Sequence, residues 1–510
     1  MNYDNFVTST HELYEKYLES WLQAVRSYWG GIEYRDGQYL KQYQSDSATP
    51  SDVIKTYDMD DGGNQIGEYR STVYQSGSQS EVNSDSPFIN NFYYEKLENV
   101  PVIPLTRLYV SEYNSLLFRQ MPTRDCGDLP EVTDFMHDVS GEGESINEFM
   151  SKVDTYTTVY GVVWVSCIKP YGAPYARWRM HSPIDVRNWN YRYDASGELT
   201  LSDIVIRVSD EPDVEIFQCI SEEHIDTIFV PRTQDGEEFD IDIPEGATYV
   251  ETPEEHQSNY YRVRSVNELG YVPVTPIYQS NKIYNGIGHT PMFDISRLQR
   301  SVYNDFGELY SAISYGSHPV TVADQRTLDI NQYNINAEPG AVIAVETGIG
   351  GESQYVFEFV APPLDSITEI RELIEQKIAK MNQVAMVRSD DMVKASNSGA
   401  QIEQYDSKLE AFIRKKATSL ENAEYNQLWP MWFDWQGIQP PEDMSIRYNR
   451  LYSRKGVEQE VQELNKMLDV YERMQELLGT EDNATAAELK EQLNARFRQL
   501  LESSYSENGL

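Results

Sequence analysis

The chain has 510 residues, 40% of them hydrophobic and 24% charged, enough apolar material to bury sizeable cores and to exclude wholesale disorder. Lys and Arg number 42 against 82 Asp and Glu, a formal charge of −40, which excludes a protein that grips phosphates over most of its surface. At roughly 100–200 residues per domain, about two to four structural regions are expected.

No run of about 18 apolar residues occurs, so no membrane-spanning helix is expected. The first residues, MNYDNFVTSTHELYEKYLESW, are polar and acidic, unlike a targeting peptide. Cys126, Cys167 and Cys219 are far apart and odd in number, which fits a reducing compartment and no disulfide framework. Tyrosine, with 37 copies, joins an apolar body to a polar tip and suits surfaces half buried between subunits. The acidity has two readings: a soluble protein from a salty setting, or a wall that nucleic acid passes without sticking.

In chain order, residues 10–30 carry Leu13, Tyr17, Trp21, Leu22 and Val25 at helical spacing and stop at Gly30-Gly31. From about 43 to 88 the chain is polar and reads as loop. Helices are predicted at roughly 103–118 and 145–158. The β-branched and aromatic run 157–169 predicts a buried strand, and short strand-like runs separated by turn residues predict an antiparallel meander up to about 275. Thr290 and Pro291 mark a helix start, with Ile295, Leu298, Val302, Leu309 and Ile313 continuing to Gly316. Short strands return over 317–364. Ser366 with Glu369 forms a capping-box pattern ahead of Ile367, Ile370, Leu373, Ile374, Ile378, Met381 and Val384. A polar interruption spans 387–399. A long helix from about 400 to 436 follows, kinked at Pro430, which lacks the N–H and crowds the preceding turn. After the strand-like SIRYNRLYS come two helices, about 456–478 and 484–503.

Motifs that carry chemistry are few. No GxxxxGK[ST] phosphate loop, HExxH or GxSxG occurs, and TGIGGES (347–353) reads as a tight turn. His224 near Cys219 lacks a second pair to complete a zinc site. Asp58, Asp60, Asp61 and Asn64 alternate as in calcium loops and Gly63 falls at position six, but Tyr69 stands where the bidentate Glu is needed. The stretch 58–68 therefore reads as a solvated loop. Basic residues gather at Arg388 and Lys394, at Arg414, Lys415 and Lys416, and at Arg447, Arg450, Arg454 and Lys455. Each cluster reads first as surface pairing with the abundant acids. No acid–base pair, cofactor site or metal site is identified, so an enzyme is not expected.

The order of elements resembles the portal protein (head-to-tail connector) family of tailed bacteriophages: stem helix, clip, returning stem helix, tunnel loop and long wing helix. Local texts are similar too: WLQAVRSYWGGIEYRDGQYLKQY for the opening helix, TRLYVSEYNSLLFRQMP for the next, and TYTTVYGVVWVSCIKPYG with SPIDVRNWNYR for the wing strands. DISRLQRSVYNDFGELYSAISYGSHPVTVAD resembles the first stem helix entering the clip, and KASNSGAQIEQYDSKLEAFIRKKATSLENAEYN the segment after the tunnel loop. The clip is short for the family, which bears on what docks there.

The resemblance implies an α+β portal fold with an α/β wing, in a ring-forming subunit. Its regions would be an N-terminal wing of helices and antiparallel strands (1–289), stem helix (290–316), clip (317–364), returning stem helix (365–386), tunnel loop (387–399), long kinked wing helix and strand (400–454) and C-terminal helical crown (455–510). It implies a ring of usually twelve copies at one capsid vertex, carrying a formal charge of about −480. Double-stranded DNA would pass through without sequence specificity. Partners would be the terminase large subunit, a head-completion or adaptor protein, the major capsid protein and scaffold, with assembly in the host cytoplasm and no membrane or cofactor. The tunnel loop would present Arg388, Ser389, Asp390, Asp391, Lys394, Ser396 and Ser398; the stem Arg297, Arg300, Glu369, Glu372, Lys377 and Lys380; the clip His318, Asp324, Arg326, Gln332 and Tyr333. The alternatives are another acidic virion component, capsid-associated or of the baseplate, without a DNA channel, and a hydrolase with carboxylate chemistry.

Overall fold

The computed structural model describes residues 9–31, 34, 39–40, 53–59, 65–72, 96–127, 129–194, 196–210, 214–231, 244, 246–250, 260–317, 320–324, 342–345, 358–360, 365–387 and 399–449. Helix α1 (Glu12–Trp29) opens the chain and is capped by His11, whose Nδ1 accepts from Leu13 N at 3.1 Å while its ring stacks on Trp189 at 4.1 Å. Its most buried face carries Tyr14, Trp21, Ala24 and Ser27, while Leu13, Tyr17 and Val25 pack at the margin. A hairpin follows (β1, Val53–Met59; β2, Gln65–Thr72) inside the stretch read from sequence as loop, since alternation there is masked by its polarity. Helices α2 (Leu105–Leu117), α3 (Pro130–His137) and α4 (Ile146–Tyr160) come next. The eight-residue α3 is too short to show a period in the sequence.

α4 corrects the reading of 157–169 as one strand. Thr157 and Thr158 return their hydroxyls to the carbonyl of Asp154, so the β-branched run ends the helix before it starts a strand. Gly161, left-handed at φ 82°, makes the break, and β4 (Val162–Ile168) begins directly after it. Gly161 is also where backbone meets backbone, because a Cβ there would lie 2.8 Å from Gly288 O.

Two antiparallel sheets form the β region. β4 is central in a three-stranded sheet, between β5 (Arg177–His181) and β12 (Val274–Tyr278). The meander is a separate six-stranded sheet: β6 (Val186–Tyr193), β7 (Leu199–Asp210), β8 (Val214–Ser221), β9 (His224–Pro231), then β11 (Tyr260–Val266) and β10 (Thr248–Val250) at the far edge. Both of these sheets are antiparallel, which makes this region α+β rather than the α/β expected of it. A short hairpin, β13 (Asn281–Tyr284) and β14 (Ile287–His289), leads into helix α5 (Met292–Ser317).

β4 is buried on both faces. One face meets Trp189 of β6 through Trp164. On the other face Cys167 lies opposite Trp178, which joins Phe135, Phe149, Trp429 and Trp432 in an aromatic cluster. Several of these rings meet edge to face, the arrangement that ring quadrupoles favour. The cluster tops a continuous core that takes in α1, α2, α4, α5 and the later helices.

After α5, strand β15 (Val320–Asp324) pairs in parallel with β16 (Val342–Val345) and antiparallel with β17 (Glu358–Val360). Helix α6 (Asp365–Val384) starts one residue before Ser366, so Ser366 lies inside the first turn rather than at its cap. Helix α7 (Gly399–Ala423) is extended by a π turn (Glu424–Leu428) and α8 (Trp429–Gln436), and β18 (Ser445–Arg447) pairs with β3 (Thr123–Asp125). The turn at 347–353 and the helices expected at 456–478 and 484–503 lie outside the described residues, as do 60–64 of the stretch 58–68.

Two predictions follow from this packing. Gly161→Ala places a side chain in the left-handed region against Gly288 and should cost about 2 kcal/mol or more in chemical denaturation. His181, with Nε2 2.8 Å from Ser166 Oγ, has its pKa pushed by burial from 6.5 down to about 4, against the pull of Asp185. Between those values the unfolded chain binds the extra proton, so this contribution is complete above the higher one and drains as pH falls toward the lower. About 3 kcal/mol should be lost across that window in wild type relative to His181→Gln, read as the difference between their unfolding free energies at each pH.

Candidate stem and its anchors

α5 and α6 run antiparallel. β15 leaves α5, β17 enters α6, and Val320 lies opposite Val360, so the intervening segment folds back and returns the chain along its own path. Ile374 and Met381 of α6 are buried with Val302 of α5. Lys377 Nζ reaches Asp305 Oδ2 at 2.5 Å and Ser301 Oγ at 2.9 Å, tying the two helices by a charge-assisted pair that is mostly buried.

The base of the pair is fixed to the body by buried polar groups. Gln299, 2% exposed, accepts from both the N–H and the hydroxyl of Thr106 at 2.8 Å and donates to Ser27 O at 2.9 Å. One side chain thus joins α1, α2 and α5. At the end of α6, Tyr109 donates to Asn382 Oδ1 at 2.7 Å and Tyr113 donates to Ala385 O. Val387 N closes back on Asn382 O at 3.0 Å around Met386, which takes φ 55° where glycine is usual. The segment 388–398 therefore departs from a closed helix end.

Helix α7 and the π turn that extends it are anchored by two buried ion pairs. Lys416, 1% exposed in its side chain, lies 3.0 Å from Asp154 Oδ1, 2.5 Å from Thr158 Oγ1 and 5.6 Å from the centre of the Tyr113 ring. Burial pushes its pKa down and Asp154 pulls it back up. Further along, Glu424 takes Arg124 Nε at 2.6 Å and Nη2 at 2.9 Å, a bidentate pair with both partners buried. Arg124 also donates to Asn147 Oδ1, and Tyr448 donates to Glu424. Glu424 opens the π turn, where Trp429 N bonds to Glu424 O, five residues back. The break expected at Pro430 is therefore placed just upstream. Widening the helix before a residue that lacks an N–H lets Pro430 sit in the first turn of α8.

Of the residues named for the stem, Arg297, Glu369, Glu372 and Lys380 are exposed. Arg300 lies 4.7 Å over the Tyr39 ring, and Lys377 pairs with Asp305. Arg388, Ser389, Asp390, Asp391, Lys394, Ser396 and Ser398 lie outside the described residues, as do His318, Arg326, Gln332 and Tyr333. Asp324 ends β15 opposite Val345.

Lys416 corrects the reading of 414–416 as a surface cluster. The signal was in the spacing, because Leu409, Ile413, Lys416 and Leu420 follow the alternation of four and three residues that marks one helix face. Arg414 keeps a surface pairing with Glu410 at 3.8 Å. Arg124 carried no such signal, since its partner lies 300 positions away. Among the described residues no group of acidic, His or Cys side chains is arranged to hold a metal, and no helix is long and apolar enough to cross a membrane.

No family model matches the chain, and no curated protein does. Among solved structures it is similar to a chain in the virion of a native gene transfer agent particle, at 8% identity and TM-score 0.34, covering 79% of this chain and 92% of that one. It is also similar to a chain in the neck of an empty gene transfer agent particle computed with C6 symmetry, at 8% identity and TM-score 0.35, covering 76% and 92%.

The Lys416 and Asp154 pair gives a double-mutant cycle. Asp154→Ala strands a buried cation and should cost about 3–5 kcal/mol in denaturant unfolding, whereas Lys416→Met combined with Asp154→Leu should recover most of that loss.

Proposed function

We propose that the chain is a structural component of a phage-type virion and, more finely, its portal subunit. Copies form a ring, of about twelve by the family's habit, at one capsid vertex through which double-stranded DNA is packaged and ejected. The reading is carried by one arrangement: an antiparallel helix pair, bolted to the body at one end and bearing a small three-stranded sheet at the other, followed by a polar segment and a long kinked helix.

Surface chemistry supports it. The outward positions of α5 and α6 carry Asp294, Arg297, Glu369, Arg371, Glu372, Glu375 and Lys380, a mixture that cannot hold a phosphate backbone tightly and so suits passage rather than binding. Ile313 and Leu373 are 46% and 42% exposed on the same helices, apolar sites that a neighbouring copy would cover. The paired helices form the stem, β15 to β17 the core of the clip, and the segment 388–398 the tunnel loop. Terminase docks on the clip during packaging and an adaptor replaces it; capsid protein and scaffold meet the wing. The role is structural, without catalysis or cofactor, and the finished location is the virion.

Native mass spectrometry of the purified chain, with negative-stain imaging of the main species, tests this. The expected result is a closed ring of about twelve copies with a central hole. A chain that forms no ring even with its capsid and scaffold proteins present overturns the portal reading and leaves another virion component.

A further inference from the structure

The three-stranded sheet has two edges, and only one is closed. On β12, Pro276 offers no N–H, Tyr278 O accepts from Ser419 Oγ at 2.6 Å, and Val274 N turns back to Val272 O. On β5 the alternation of the ladder is set by two bonds: Cys167 N faces β12, reaching Pro273 O, and Trp178 N faces away from β4, reaching Val139 O at 2.8 Å. Trp178 lies opposite Cys167 and Met180 opposite Val165, so both point their backbone groups outward. Val139 covers Trp178 N. Among the described residues nothing bonds the N–H or C=O of Met180, and Met180 lines a cleft of about 440 Å³.

The cleft wall is built rather than loose. Asp138 Oδ1 accepts from Gly141 N at 2.7 Å and Gly143 N at 2.9 Å, and Ser145 with Glu148 caps α4 directly beyond. Most charges at the cleft are paired: Arg207 with Asp185 at 2.9 Å and Lys152 with Glu144 at 3.6 Å. Arg179, exposed beside Met180 on β5, has no ion-pair partner among the described residues; Glu142, which lines the same cleft, likewise has none.

We propose that the β5 edge is a docking site for an extended segment of a separate protein, added as a fourth strand and carrying one carboxylate across from Arg179. A spaced backbone donor and acceptor on a strand edge is met by polypeptide in the extended form, through main-chain bonds that give affinity whatever the sequence. Specificity then comes from the residue beside the one paired with Met180. It stands across from Arg179, where a carboxylate is favoured and a like charge is not. Glu142, lining the same cleft, sets the opposite preference, so the segment is acidic at that one position rather than throughout. The site is independent of ring formation.

The test uses the full chain and three labelled peptides, acetyl-VTVEVT-amide, its lysine counterpart VTVKVT and the ladder-breaking VTPEPT, with binding read by fluorescence anisotropy and by hydrogen exchange at the Met180 amide. VTVEVT should bind saturably and slow exchange at Met180 by about tenfold or more, while VTPEPT should not. Met180→Pro removes an outward N–H and no ladder bond, and should weaken VTVEVT by about tenfold or more. Arg179→Glu, an exposed change that leaves the fold intact, should turn the preference toward VTVKVT. Absence of saturable binding, equal binding of VTPEPT, or an unaltered preference in Arg179→Glu overturns the proposal.

Discussion

The helix that returns after residue 398 carries two charges that the fold removes from water, Lys416 and Glu424, and the remaining helices are arranged around their needs. A buried ion without a partner costs several kcal/mol, so each can be accommodated only where its counter-charge arrives in good geometry. Lys416 demands α4 beside it, with Asp154 and Thr158 presented on one face. Glu424 demands β3, and through Tyr448 the strand that follows α8. Satisfying both at once fixes the long helix along its axis and about it, which an apolar stripe alone does not do.

The π turn follows from the same constraint. Between Lys416 and the aromatic cluster at Trp429 and Trp432 the helix must keep Leu420, Glu424 and Leu428 on its buried side and still accept Pro430. A regular helix would aim a carbonyl at the proline ring. One widened turn removes that conflict and turns the indoles of Trp429 and Trp432 onto Trp178 and Phe135. The aromatic core, the kink and the bidentate Arg124 pair are therefore one solution rather than three features.

Much of this was legible in the residues. The helix pair α5 and α6 stood out because its apolar period is sustained over many turns, and the meander because turn residues punctuate it. What failed has physical causes. Thr157 to Tyr160 look like strand, but β-branched side chains can finish a helix when their hydroxyls bond backward and a glycine follows. The first strand of the run belongs to a different sheet from the meander, which depends on pairing with Thr275 and Ile277 more than a hundred residues later. Lys416 was legible as a face position yet was read by its charge, and Arg124 was not legible at all. On α5 and α6, exposure of Arg297 and Lys380 and the partial burial of Lys377 differ by where each falls on the turn, which residue type does not disclose.

Met386 closes α6 in a left-handed conformation that costs a side chain of its size about 1–2 kcal/mol relative to the right-handed helix. Two tyrosines of α2 hold the turn just before it, Tyr109 at Asn382 and Tyr113 at Ala385. A pull on the chain beyond Val387 thus meets a latch before it meets the helix. Tension is handed to α2 and the body through Tyr109 and Tyr113 instead of unwinding α6 residue by residue, so the attachment behaves as a stiff mechanical coupling.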